Sequence, residues 1–279
     1  MTTTTTQAHT PAHNGYDLVL QRIERAKEQR RDLEIEMRAW TEAGAYGVGS
    51  QVDPQTGYTV YYVGHLADIT PRIVALISEI LHTLRTALDN LAYQLFLVSR
   101  TDPADEGEGI YFPIYDDAKR KEADAFGKIK PFRKEIIEAV RRVNPSKSGQ
   151  PLLWILHRLD IENKHRRILV EILVNHSVFV REAMRQMLIE KGYADMASFV
   201  ALRPAFFTSA KTGRKARVGE VLFTTPPDTS EEMKKRLHFT CDITFDEPGI
   251  IEGKSVVETI DEMLKLIEGF LPSFAPFLL

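Results

Sequence analysis

Apolar residues recur at three- and four-residue steps in five stretches of the chain, a pattern that is typical of amphipathic helices. Two of these stretches also begin with helix-capping signals: Thr70 precedes Pro71, and Ser255 with Glu258 forms a capping box. The second stretch is apolar on most sides, so we expect it to be central to the fold. The predicted helices cover residues 15–42, 71–99, 131–143, 151–167 and 255–270.

Two other regions carry short runs of β-branched and aromatic residues that predict strands. In the first region, residues 46–52 and 58–63 flank a Pro/Gly turn and predict a β-hairpin. The second region follows residue 167. Its predicted strands cover residues 168–174, 178–180, 218–224 and 238–245, with a helix predicted at 182–202.

This order of elements predicts an α+β fold. We expect residues 15–167 and 255–271 to form an antiparallel helical bundle, with a β-containing insertion at 168–250 that packs a small antiparallel sheet on it. Residues 1–14 are Thr-rich and lack apolar periodicity, which predicts a disordered tail. The rest of the chain, 15–279, is predicted to be a single domain.

Composition and charge narrow the range of functions. The formal net charge is −3, so no global basic field draws the protein to nucleic acid or membrane. The single cysteine, Cys241, alternates with Phe239 and Ile243 and is predicted to fill the core rather than to act as a nucleophile. Glycine-rich nucleotide loops, a secretory signal and a membrane-spanning run are not apparent. We expect a cytoplasmic protein with no cofactor and no membrane partner.

The helix predicted at 71–99 carries charge where a core helix would normally have none. His82, Arg85 and Asp89 stand at positions i, i+3 and i+7, so they line one stripe of the helix. Glu79 and Tyr93 extend the stripe in both directions. Buried charge is costly unless it is paired, so these groups are expected either to satisfy each other across a helix interface or to form a site.

The helix predicted at 151–167 has a similar character. Arg158, Glu162 and His165 share one face, and Asp160 and Lys164 form an i,i+4 pair. If the two faces meet, Arg85 and Asp89 are each expected to find a partner of opposite sign. A purely structural interpretation is a buried polar network that sets the register of two antiparallel helices in an interaction or structural protein.

Arg158 is followed after six residues by His165, and this spacing resembles the motif of the HEPN superfamily, helical-bundle proteins that include many ribonucleases. The resemblance implies metal-independent RNA cleavage by a homodimer. In that scheme His165 is the general acid or base, and Arg158 or Arg166 stabilises charge on the phosphate. Cations that are candidates for contacting the RNA backbone lie at 119–147 and at Lys211, Arg214, Lys215 and Arg217.

A second enzyme class also matches the spacing of these residues. Glu79 with His82 and Glu162 with His165 are both Glu-x-x-His pairs, as in four-helix di-metal carboxylate proteins. Such a site would bind iron or manganese. The remaining two carboxylates would come from Glu34 or Glu36 and from Glu135 or Glu138.

Taken together, three segments resemble a recurrent family of uncharacterised bacterial α+β proteins. They are His82-Thr-Leu-Arg85-Thr-Ala-Leu-Asp89-Asn-Leu, then Phe112-Pro-Ile, then Asn163-Lys164-His165-Arg166, where the family has Asp at the position of Asn163. The resemblance implies no reaction, but it directs attention to His82, Arg85, Asp89, Lys164, His165 and Arg166. The leading hypothesis is a HEPN-like RNA-processing or defence-type ribonuclease.

Overall fold

The structure is a computed structural model that describes residues 14–117, 119–176, 185, 188–192, 216–227 and 239–279. Within these ranges it contains seven helices and two three-stranded antiparallel sheets, which confirms the predicted α+β class. No helix in the described part of the chain is long and apolar enough to cross a membrane. The helices are α1 (Gly15–Glu42), α2 (Pro71–Leu97), α3 (Lys119–Gly127), α4 (Lys134–Val143), α5 (Pro151–His165), α6 (Val256–Phe270) and α7 (Ala275–Leu278).

The predicted capping signals are present at the helix starts. Thr70 Oγ1 accepts a hydrogen bond from the backbone N–H of Ile73, 3.3 Å away, at the start of α2. Ser255 Oγ accepts from the N–H of Glu258 at the start of α6, at 3.4 Å. Each bond satisfies one of the backbone donors that a helix leaves free at its first turn.

The strands form two separate sheets rather than the single sheet predicted from residues 168–250. The strands are β1 (Tyr46–Val52), β2 (Thr59–Leu66), β3 (Val170–His176), β4 (Val221–Thr225), β5 (Phe239–Glu247) and β6 (Ile251–Ser255). One sheet has the order β1-β2-β4, and the other has the order β3-β5-β6. The predicted hairpin is confirmed as β1 and β2. On its other edge, β2 pairs with β4, a strand that belongs to the predicted insertion.

Several boundaries also differ from the prediction. Helix α3 was not predicted, because its short, highly charged sequence has no apolar stripe, and β6 was not predicted because it is short. Helix α4 begins three residues later than predicted, at Lys134. The predicted strand at 178–180, most of the predicted helix at 182–202 and the predicted tail lie outside the described residues.

Contacts divide the chain into two compact units. Unit 1 comprises the described part of Met1–Arg31 together with Ser78–Arg166 and Ile260–Leu279, and unit 2 comprises Asp32–Ile77 and the described part of Arg167–Thr259. The interior of unit 1 is helical and includes Ile23, Leu84, Leu88, Phe112, Ile136, Leu156 and Ile267. The interior of unit 2 includes Leu33, Val63, Ile73, Ile243 and Phe245. The prediction of a single domain stays a prediction.

Candidate functional site

The charged residues of α2 and α5 meet in unit 1 around the carboxylate of Asp160. His82 Nδ1 lies 2.9 Å from Oδ1 of Asp160, and Lys164 Nζ lies 2.6 Å from Oδ2. The Asp160 side chain is only 2% exposed, whereas those of His82 and Lys164 are 56% and 54% exposed. We refer to His82, Asp160 and Lys164 as the Asp160 cluster.

Helix packing explains why a carboxylate is buried here. Asp160 follows Leu159 on the inner face of α5, and both residues are almost completely excluded from water. A buried carboxylate is tolerated when its oxygens are paired, and here each oxygen has a cationic or hydrogen-bonding partner. One turn further along α5, the side-chain amide of Asn163 donates to the carbonyl oxygen of Ser78, 3.3 Å away, which also joins the two helices.

The contact with Asp160 decides which nitrogen of His82 is free. A carboxylate can only accept hydrogen bonds, so Nδ1 of His82 carries the hydrogen that points to Asp160. In the neutral ring Nε2 is then the basic nitrogen, and no hydrogen bond to it occurs among the described residues. An imidazole that is oriented by a buried carboxylate, in a side chain more than half exposed, is suited to general acid–base catalysis.

A second group of contacts anchors the segment at Phe112 to α2. Arg85 pairs with Asp89 at 2.8 Å, and its Nη2 donates to the carbonyl oxygen of Phe112, 3.2 Å away. The backbone N–H of Phe112 donates in turn to Oδ1 of Asp89 at 3.1 Å. We call this arrangement the Phe112 anchor. Burial lowers the pKa of Arg85 and raises that of Asp89, and their mutual attraction opposes both shifts.

His157 is a further titratable group next to the cluster. Burial is the main cause that lowers its pKa to about 4, and the positive charge of Arg85 acts in the same direction while Asp160 opposes it. Its Nδ1 is buried without a hydrogen-bond partner in the described part of the chain, as is Nη1 of Arg85. His157 is therefore an uncharged imidazole at neutral pH.

Among the described residues, α5 bonds to α2 through Asp160 and Asn163, and not through the face formed by Arg158, Glu162 and His165. Arg158 pairs with Glu162 at 3.2 Å, and Arg166 pairs with the other oxygen of Glu162 at 3.1 Å. Arg85 finds its opposite charge on its own helix, at Asp89, rather than on α5. His165 is exposed at the end of α5 and has no hydrogen bond or ion pair among the described residues. The structure thus brings His82 and Lys164 together, but it leaves Arg158 and His165 outside the cluster.

The four ligands of the di-metal alternative are not assembled into a metal site. Within the described ranges, no group of three or more His, Cys, Asp or Glu side chains is placed to hold a metal ion. Glu79 instead accepts a hydrogen bond from Gln29 at 3.4 Å, and Glu36 pairs with Arg72 at 2.9 Å.

Two other predicted features can be located. Burial, together with the charge of Asp242, raises the pKa of Cys241 to about 11, so its sulfur is a protonated thiol at neutral pH and a poor nucleophile. Most cations of the 119–147 segment are exposed, and Arg217 is exposed in unit 2. The remaining candidates, Lys211, Arg214 and Lys215, lie outside the described residues.

Sequence reasoning treated Asp160 only as the partner of Lys164 and did not single out His157. A signal for both was available. His157, Asp160 and Lys164 stand at positions i, i+3 and i+7, the same spacing as His82, Arg85 and Asp89 on α2. Two helices with polar residues at the same spacing can face each other along one seam.

Two of the three side chains of the Asp160 cluster, those of His82 and Lys164, are more than half exposed to solvent. Three surface cavities of about 490, 570 and 670 Å³ occur in the described part of the chain, and none of these three is lined by His82, Asp160 or Lys164. Small-molecule sites are usually concave and enclose most of their ligand. None of these three cavities is therefore a small-molecule site built on the Asp160 cluster.

Comparisons with known proteins assign no activity to these residues. No family model matches the chain, and no curated protein and no solved structure shows significant similarity to it.

Proposed function

We propose that this protein is a metal-independent ribonuclease in which His82 is the general base. The observation that carries the proposal is the contact between exposed His82 and buried Asp160, at 2.9 Å. It gives the imidazole a defined tautomer and leaves Nε2 without a hydrogen bond among the described residues. The proposal keeps the reaction class implied by the HEPN resemblance but moves its centre from His165 to His82.

RNA carries its own nucleophile, so few protein groups are needed to cleave it. Nε2 of His82 would remove the proton from a ribose 2′-hydroxyl, whose oxygen then attacks the adjacent phosphorus. The bond from phosphorus to the 5′ oxygen breaks, and that oxygen takes a proton from solvent. The products are a 2′,3′-cyclic phosphate and a 5′-hydroxyl end. His82 afterwards returns its proton to solvent.

Lys164 would supply the electrostatic part of the reaction. Its ammonium group is exposed but held at Asp160 Oδ2, next to His82. A fixed cation stabilises the negative charge that develops on the phosphate oxygens in the transition state. The exposed side chains of His82 and Lys164 and the exposed cations of the 119–147 segment, which belong to the same unit, support a polyanionic polymer as substrate.

A purely structural role explains part of this geometry. It accounts well for Arg85 and Asp89, which are largely buried and tie backbone to helix. It accounts less well for His82, because a structural ion pair gains little from a partner that is more than half exposed. The homodimer implied by the HEPN resemblance is a separate prediction, and the assignment of His82 does not depend on it.

The test is cleavage of a single-stranded RNA oligonucleotide by purified protein in the presence of EDTA. The wild type should cut the RNA and leave cyclic phosphate ends. Replacing the base, His82→Gln, should lower the cleavage rate about 10²- to 10⁴-fold. His65 is also an exposed histidine, and it lies on β2 in unit 2, so His65→Gln is a matched control that should keep full activity.

A third variant separates the two candidate bases. His165→Gln should cleave like the wild type if His82 is the base, and it should be inactive if the HEPN motif itself carries the reaction. Absence of cleavage by the wild type would overturn the ribonuclease proposal as a whole. Retained activity in His82→Gln would overturn the role of the Asp160 cluster.

A further inference from the structure

The segment that precedes the Phe112 anchor runs antiparallel to α2. Gly107 packs against the ring of Phe96, because a Cβ at that glycine would lie 2.5 Å from Phe96 Cε1. Five residues later the backbone of Phe112 is bonded to Asp89, and its carbonyl oxygen to Arg85. The intervening residues therefore lie along α2 between the level of Phe96 and the level of Asp89.

This path holds Tyr111 beside the same stretch of α2. Tyr111 directly precedes Phe112, whose backbone is fixed on both sides, yet Tyr111 itself is 51% exposed. Its phenol lies within electrostatic range of Arg85. An aromatic side chain that is tethered by its neighbour's backbone and faces water offers a flat surface at little conformational cost.

Tyr93 provides a second exposed ring on the same stretch. It stands one turn beyond Asp89 on α2 and is 38% exposed. Its ring is supported from below by the buried ring of Phe96, with centroids 6.1 Å apart. His82, Asp89 and Tyr93 belong to one stripe of the helix, so Tyr93 lies about three turns along this stripe from the candidate base.

We infer that Tyr111 and Tyr93 are a stacking platform for the bases of single-stranded RNA next to the Asp160 cluster. This inference rests on the proposed function and adds a substrate class to it. Bases stack on aromatic side chains only when they are free of a duplex, so such a platform selects unpaired RNA. A strand whose phosphate lies at His82 and Lys164 would place bases further along the strand on the two rings.

Binding can be measured without cleavage by using a fluorescein-labelled 2′-O-methyl oligonucleotide, which has no free 2′-hydroxyl to attack the phosphate. The full-length wild type should bind this single strand about tenfold more tightly than a blunt duplex of the same sequence, measured by fluorescence anisotropy. Tyr111→Ala should weaken single-strand binding about tenfold and leave duplex binding unchanged. Tyr111→Phe keeps the ring and should bind like the wild type.

The matched control is Tyr58→Ala, because Tyr58 is a comparably exposed tyrosine in unit 2. It should leave both affinities unchanged. Circular dichroism melting of each variant separates loss of binding from loss of folding, and the Tyr111→Phe result holds even if Tyr111→Ala is unstable. Equal affinity for single strand and duplex, no binding at all, or full binding by a folded Tyr111→Ala would each overturn the inference.

These outcomes are distinct from failure of the proposed function. If the wild type binds single strands through Tyr111 but cuts no RNA, the platform stands and the ribonuclease proposal falls. If it cuts RNA through His82 but binds independently of Tyr111, the ribonuclease proposal stands and the platform falls.

Discussion

His157 shows how the surroundings of one residue set its charge. An isolated histidine has a pKa near 6.5, but burial and the nearby charge of Arg85 lower the pKa of His157 to about 4. The side chain stays neutral under conditions in which the same residue in an unfolded chain would gain a proton. The positive charges of Arg85, Arg158 and Lys164 all oppose protonation of His157, and only the charge of Asp160 favours it.

This shift makes stability depend on pH. Between about pH 6.5 and 4 the unfolded chain binds a proton at His157 and the folded chain does not, so the free energy of unfolding falls as the pH falls. From pH 7 to pH 5 the loss due to this residue should be about 2 kcal/mol. Urea unfolding at both pH values checks the prediction, since His157→Gln should reduce the difference between them by that amount.

The exposed histidine of β2 again serves as the control, and His65→Gln should keep the pH dependence of the wild type. An undiminished pH dependence in His157→Gln would show that another group is responsible.

Among single residues, the sequence indicated His82, Lys164 and their helical positions, but it could not indicate how deeply each would be buried. Burial depends on what the rest of the chain packs around a residue, so the spacing could point to His157 but not to its lowered pKa.

At the level of elements, the Phe112 anchor joins an extended segment to α2 through an ion pair. The N–H and the carbonyl oxygen of Phe112 both bond to side chains of the Arg85–Asp89 pair. The side chain of Arg85 is almost entirely buried. Among the described residues, Asp89 is the only carboxylate within ion-pair distance of it. Both backbone hydrogen bonds of Phe112, the residue next to Tyr111, therefore depend on this one pair.

Removing one partner should therefore cost more than a surface ion pair is worth. Asp89→Ala leaves the buried guanidinium of Arg85 and the N–H of Phe112 without a partner, so the free energy of unfolding should fall by about 3 kcal/mol. The control is Glu28→Ala, which breaks an exposed pair with Arg25 on α1 and should cost less than about 1 kcal/mol. Equal losses in urea unfolding of the two variants would contradict the structural importance of the anchor.

The elements themselves were predictable to different degrees. Helices α1, α2 and α5 were predicted within two residues at each end, because each combines strong apolar periodicity with a capping residue, a proline or a change in composition. Strand pairing was not predictable. Alternation identifies a strand but not its neighbour, so β4 was assigned to the wrong sheet. Helical spacing also left open which face of α5 meets α2, because this short helix carries two polar faces.

Across the whole molecule, the distribution of charge matters more than its total. The chain has a formal net charge of −3, yet residues 119–147 contain ten basic and four acidic residues. Of these cations, Arg141 pairs with Glu122 and Lys147 lies over the ring of Trp154. Lys128, Lys130 and Lys134 are exposed and have no ion pair among the described residues. A local surface of this kind can bind a polyanion even when the protein as a whole is acidic.

If this segment contacts the RNA backbone, binding must depend on salt, because each neutralised phosphate releases a counterion. The slope of log Kd against log salt concentration, measured with the 2′-O-methyl oligonucleotide, should fall by about one for each lysine removed. The triple variant Lys128→Gln, Lys130→Gln and Lys134→Gln should therefore lose about three from the slope. Removing three exposed cations elsewhere, Arg22, Arg31 and Lys254, lowers the total charge equally but should leave the slope unchanged. Equal slopes for the two triple variants would mean that RNA binding depends only on the net charge of the protein. The 119–147 segment would then have no special role in binding.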